Sequence, residues 1–156
     1  MPSVLPDASQ QWQVLGEADL RWLGLRVYDA ALWVANGDGW APDRPFALEI
    51  RYGRAIASRR LVDTSVEEMR RLGVADEQQL SAWRDLLEAA FPDVERDDTI
   101  IGLRRADGSV SFYHRGAPTI RIDDPQFAGA FFAIWLDERT REPDMRARLL
   151  GLADER

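Results

Sequence analysis

Residues 19–34, DLRWLGLRVYDAALWV, place guanidinium groups at Arg21 and Arg26, a phenol at Tyr28 and a carboxylate at Asp29 among hydrophobic residues. An arginine cannot shed its proton, so in an apolar setting it needs an anion, supplied by the protein or by a ligand. Tyr28 can present a second donor, and hydrogen bonds to charged groups contribute about 1.5–3 kcal/mol each. Together the pair suits a carboxylate. Strict strand alternation sets Arg26 on the face of Tyr28 and Arg21 on the opposite one, so joining Arg21 to Tyr28 needs a bend or bulge near Gly24. The competing readings are an ion pair with Asp29 or Glu49, or plain exposure.

Other side chains offer less. His114 is the sole histidine, with Ser109 and Ser111 merely nearby and no nucleophile elbow in the chain; it reads as a structural histidine. PDVERDD (92–98) lacks the spacing of a calcium loop, and NGDGW is not a dinucleotide fingerprint. Phe127, Phe131, Phe132 and Trp135 recur at helical spacing, which marks core, with room for one or two to face a ligand.

Composition narrows the chemistry further. The 156 residues include no cysteine, which excludes thiolate nucleophiles, disulfides and cysteine-ligated metals; one histidine excludes multi-histidine sites. Neither a metal nor a cofactor is expected. All 20 basic residues are arginine against 27 acidic ones, and the net charge of -7 disfavours nucleic acid and anionic membrane surfaces unless basic residues cluster. No basic cluster stands out along the chain. No apolar run reaches the roughly 18 residues of a membrane span, so none is expected. The opening MPSVLPDASQQWQ has no signal-peptide pattern, leaving a cytoplasmic protein or a trimmed exported one as expectations.

These side chains must be held by an α+β domain. Residues 12–35, punctuated by Gly16 and Gly24, read as two strands or one long bent strand, followed by a loop at 36–45. FALEIRY (46–52) alternates as a half-buried strand. Residues 58–73 and 75–92 read as amphipathic helices, the first stopping at Gly73 and the second capped by Asp76. A hairpin turning at ADGS fills 98–116, with TIRID (119–123) as a further strand. Asp123 or Asp124 caps a buried helix at 125–138, and 142–155 reads as a last amphipathic helix. Strands, helices, strands and helices in that order imply an antiparallel sheet with helices on one side, in a single domain over 1–156.

With Gly16, Arg21, VYDAALW, FAGAFFAIWLD and the late LLG in this order, the chain resembles the chalcone isomerase-like family, in its bacterial branch, over about residues 12–152. The resemblance implies an open-faced β-sandwich with a cleft between sheet and helices. In fatty-acid-binding members an early-strand arginine and a tyrosine further along hold the ligand carboxylate; these look like Arg21 and Tyr28, with Arg26 a rival. In the isomerases a tyrosine and an asparagine on the following helix fall on Ala57 and Thr64, and a late-helix threonine falls on Ile134. The family pattern therefore implies a non-catalytic binder of a small amphipathic acid lined by Arg21, Tyr28, Arg26, Thr64 and Ile134, ahead of an isomerase or lyase, or a partner protein with a closed cleft. Relatives with export signals make a periplasmic location a further expectation.

Overall fold

In the computed structural model, which describes Leu5, residues 11–35 and residues 39–152, the alternating segments become six strands. They are β1 (Trp12–Trp22), β2 (Leu25–Ala35), β3 (Phe46–Tyr52), β4 (Thr99–Arg104), β5 (Val110–His114) and β6 (Ala117–Ile122). The sheet keeps them in chain order, each antiparallel to its neighbours. Short turns suffice for such pairing, and three carry the positive φ that tight hairpins require: Leu23-Gly24 between β1 and β2, Gly108 between β4 and β5, and Arg115-Gly116 between β5 and β6. Part of the loop expected at 36–45, residues 36–38, lies outside the described residues.

Helices α1 (Ser58–Leu72), α2 (Glu77–Ala90), α3 (Pro125–Leu136) and α4 (Pro143–Leu149) complete the fold. The architecture is α+β, as expected. Gly73 ends α1 in the left-handed region. Asp76 and Gln79 form a reciprocal capping box on α2. Asp124 caps α3, accepting from the Gln126 and Phe127 N–H groups ahead of a proline first turn. The last helix is shorter than its sequence pattern: it ends at Leu149, Gly151 follows at φ 74°, and 153–156 lie outside the described residues.

The period of two decides what each strand buries. Phe46, Leu48, Ile50 and Tyr52 of β3 point into the main core with Ile100, Phe112, Val62, Met69 and Phe131. Ala47, Ile101 and Leu103 point the other way, into a small cluster with Leu5 and Trp12. Edge-on and stacked aromatic contacts link Phe91, Phe112, Phe127 and Phe131, with ring centroids 5.2–6.2 Å apart, the arrangement ring quadrupoles favour. Thus Phe127 is core, as its spacing suggested.

Two irregularities in the β1–β2 ladder matter for the site. Gly16 faces Leu32 and Leu20 faces Tyr28, but Arg21 faces Arg26, so Val27 is an extra residue on β2. A bulge of this kind reverses the alternation beyond it.

Candidate functional site

A cavity of about 390 Å³ opens between the inner sheet face and the helices, within the usual range for small-molecule sites. Its floor comes from β3, β4 and β5 through Leu48, Ile50, Ile100 and Phe112; α3 adds Phe131, Phe132, Ile134 and Trp135, and α4 adds Met145. Gly102 lies between Phe112 and Phe132: a Cβ there would sit 3.2–3.3 Å from their ring carbons. On α1, Leu61, Thr64, Ser65 and Glu68 face the cavity because they share one side of a helix of 3.6 residues per turn.

Polar groups gather at the end near the β1–β2 turn. The Tyr28 hydroxyl accepts a hydrogen bond from Trp135 Nε1 at 3.0 Å, while its own proton faces, among the described residues, only Met145 Sδ at 3.8 Å. A thioether is a weak acceptor. Burial pushes the Tyr28 phenol up to about 12, against the lowering effect of the Trp135 N–H and with a small contribution from Glu142. The Tyr52 ring packs edge-on to Tyr28, centroids 6.0 Å apart, and its phenol is likewise raised by burial and then by the adjacent Tyr28. Tyr52 is only 6% exposed and its hydroxyl has no hydrogen bond among the described residues. Both phenols therefore stay protonated and hold a proton to donate.

The rim mixes signs. Arg141 pairs with Glu68 at 2.9 Å, and Glu68 also takes Arg71 at 3.3 Å. Glu142 lies close by. Arg60 lines the mouth and makes no ion pair or side-chain hydrogen bond among the described residues. The Ser65 hydroxyl is committed to the Leu61 carbonyl at 2.9 Å and the Thr140 hydroxyl to the Ile134 carbonyl at 2.7 Å.

Of the residues the sequence pointed to, Tyr28, Thr64 and Ile134 line the cavity. Arg21 and Arg26 do not. Arg21 is exposed and paired with Asp19 at 2.7 Å; Arg26 is paired with Asp29 at 2.5 Å, with Asp97 at 3.9 Å. The bulge is the reason: Val27 takes up a second inward position beside Tyr28, which turns Arg26 to the outer face with its partner Arg21. The expected irregularity exists, but it carries one arginine out rather than bringing the other in. Asp29 as a partner for Arg26 was among the readings the pattern allowed; Glu49 instead accepts from Trp33 Nε1 at 3.0 Å. Ala57 is exposed at the start of α1, away from the cavity.

Tyr52 and Arg60 escaped the sequence reading. Tyr52 had a signal, since FALEIRY puts it on the apolar face, where a phenol is the one polar member; Arg60, in an arginine pair on an amphipathic helix, had none. His114 is structural: Nε2 lies 3.1 Å from Asp98, whose carboxylate also binds Arg115.

A six-stranded antiparallel sheet covered on one face by helices, with an apolar cavity between the layers and phenols at its mouth, defines an α+β protein built around an internal cavity. The chain belongs to the chalcone isomerase-like family, whose profile matches residues 14–151. Among solved structures it is similar to the fatty-acid binding protein of Arabidopsis thaliana, with a TM-score of 0.69 and 12% identity over 98% of this chain and 92% of that one. At that identity the likeness speaks for the fold. No curated protein matches the sequence.

Proposed function

We propose that this chain is a non-catalytic binder of a small amphipathic carboxylate, a fatty acid in type. The observation that carries the reading is an apolar cavity with two adjacent phenols at one end, half-buried Tyr28 and buried Tyr52, the latter with no hydrogen bond among the described residues. The carboxylate accepts from the Tyr28 and Tyr52 hydroxyls, and Arg60 at the mouth supplies the positive charge that Arg21, turned outward to Asp19, does not. The tail runs along Leu48, Ile100 and Phe112 toward Phe132, gaining about 0.8 kcal/mol per buried methylene. The fatty-acid binding title of the Arabidopsis structure supports the ligand class.

Calorimetry and native mass spectrometry with saturated fatty acids of increasing length test this. Affinity should rise with length until the cavity is full, then level. Tyr52→Phe and Arg60→Ala should each weaken binding about tenfold or more, the worth of a hydrogen bond to a charged group. Arg21→Ala should leave it within about twofold, because that side chain faces away. Absence of binding at every chain length, or undiminished binding when Ile134→Trp fills the cavity, would refute the proposal.

A further inference from the structure

The most exposed large hydrophobic residues described in this protein sit side by side at one tight turn. Leu23 is 81% exposed and Leu25 60% exposed at the tip of the β1–β2 hairpin. Leu23 also holds a φ of 52°, a left-handed conformation that disfavours residues with a bulky side chain and suits Gly, Asn or Asp. A leucine there bears a conformational cost and gains no packing inside the protein. Neighbouring apolar residues projected into solvent in this way mark a surface made to be covered.

The surroundings of the tip indicate by what. Residues 20–28 and 52–62 contain five arginines and no acidic residue, in a chain of net charge -7. They are far apart in sequence, so no cluster is visible there, but the fold joins them. Gly53 N–H donates to the Val27 carbonyl at 2.9 Å, and a Cβ on Gly53 would lie 2.6 Å from the Arg26 carbonyl oxygen. Arg21 and Arg26 have carboxylate partners in Asp19 and Asp29. Arg54, Arg59 and Arg60 are exposed and have no ion pair among the described residues. The acidic loop 93–98 adjoins from the other side: Asp93 accepts from the Ser58 N–H, Asp98 binds Arg115, and Asp97 lies 3.9 Å from Arg26. The unpartnered charge on the two segments is thus positive.

We propose that this end of the protein docks on an anionic phospholipid surface, with the Leu23–Leu25 tip inserted among the acyl chains and Arg54, Arg59 and Arg60 on headgroup phosphates. Apolar side chains entering the interface with arginines held at headgroup depth is how surface-bound segments sit on bilayers. The cavity lining includes Leu20, Val27, Tyr28 and Arg60 from these same two segments, so docking brings the mouth to the membrane. Docking stands whether or not a fatty acid is the cargo; only transfer of cargo at the membrane rests on that reading.

Co-sedimentation of the full chain with phosphatidylglycerol vesicles tests it, beside phosphatidylcholine vesicles as the uncharged reference. Binding to the anionic vesicles should exceed that to the reference and fall with salt. The double variant Leu23→Asn, Leu25→Thr suits the turn and strand better than the native residues, so it keeps its fold, checked by circular dichroism, and should lose at least tenfold in vesicle affinity. Neutralising Arg54, Arg59 and Arg60 should cost about fivefold for each arginine removed. Fatty-acid affinity of the double variant in solution should be unchanged, which separates failure of docking from failure of the cavity reading. No excess binding to anionic vesicles, full binding by the double variant, or a tip-dependent dimer formed without vesicles would each overturn the proposal.

Discussion

Gly16→Ala tests how α4 is seated, and the backbone contacts around Gly16 set the size of its effect. Gly16 faces Leu32 across the β1–β2 ladder, one residue beyond the first irregularity in that pairing. The carbonyl groups at the end of α4 rest directly on it. A Cβ there would lie 1.9 Å from the Arg148 carbonyl oxygen and 2.5 Å from that of Leu149. Both are backbone atoms, so no rotamer change relieves the overlap; the helix must move by more than about 1 Å, van der Waals repulsion being steep at such distances.

Overpacking that is accommodated by a shift costs about 1–3 kcal/mol. If α4 undocks instead, Leu149 and Met145, which are 0% and 5% exposed, come into water at about 1.5–3 kcal/mol each. The expected loss is therefore about 1–3 kcal/mol if the helix shifts and about 3–6 kcal/mol if it undocks. For a chain of this size those losses correspond to falls in Tm of roughly 2–12 °C and roughly 6–24 °C. Urea denaturation read by tryptophan fluorescence gives the free energy, and calorimetry the Tm. Because Met145 lines the cavity, fatty-acid affinity should fall in the same variant. A Gly16→Ala protein within about 0.5 kcal/mol of the parent would show that α4 is not held against β1.

Gly129→Ala should do the opposite: it sits exposed in the interior of α3 with open space around a Cβ, so a gain of about 0.5–1 kcal/mol in urea denaturation is expected. Tyr28→Phe leaves the Trp135 N–H without its acceptor and should cost about 1–3 kcal/mol by the same measurement. Since the folded Tyr28 phenol is raised from 10.0 to about 12, its contribution to stability is complete below pH 10 and lost as pH rises toward 12; that part of the alkaline fall should be absent in Tyr28→Phe. Asp98 is held down to about 2, first by Arg115 and then by the Glu95 N–H and His114, against the raising effect of its burial. Its stabilisation is therefore full above the ordinary carboxylate value of 3.8 and lost as pH falls through 2, and Asp98→Asn should lower neutral stability by about 1–3 kcal/mol while flattening the acid limb of a pH–stability curve.

Several parts of the fold were legible because the signals are local. A period of two marked Phe46–Tyr52, and Asp76 and the Asp123-Asp124 pair marked two helix starts by offering a side-chain acceptor to unpaired N–H groups, a role that Asp76 and Asp124 take. Asp107-Gly108 marked a hairpin through the positive φ that glycine accepts. Tyr28, Thr64 and Ile134 were placed at the cleft through the family pattern, and all three line it. The same pattern put Arg21 and Arg26 there, yet both lie outside it, because the side a residue faces depends on every residue between it and the core, and one extra residue at Val27 inverts the answer.

By itself, then, the sequence determined the class of fold, the order of its elements and the absence of cysteine and multi-histidine chemistry, since composition, periodicity and capping act within a few residues. Tertiary structure alone decided which charges are spent on internal partners, that Tyr52 joins Tyr28 at a cavity mouth, and that residues 20–28 and 52–62 form one basic surface around an apolar tip. Those outcomes depend on strand register and on segments about 30 residues apart meeting across a ladder, and pairing at that distance leaves no periodic trace in the chain.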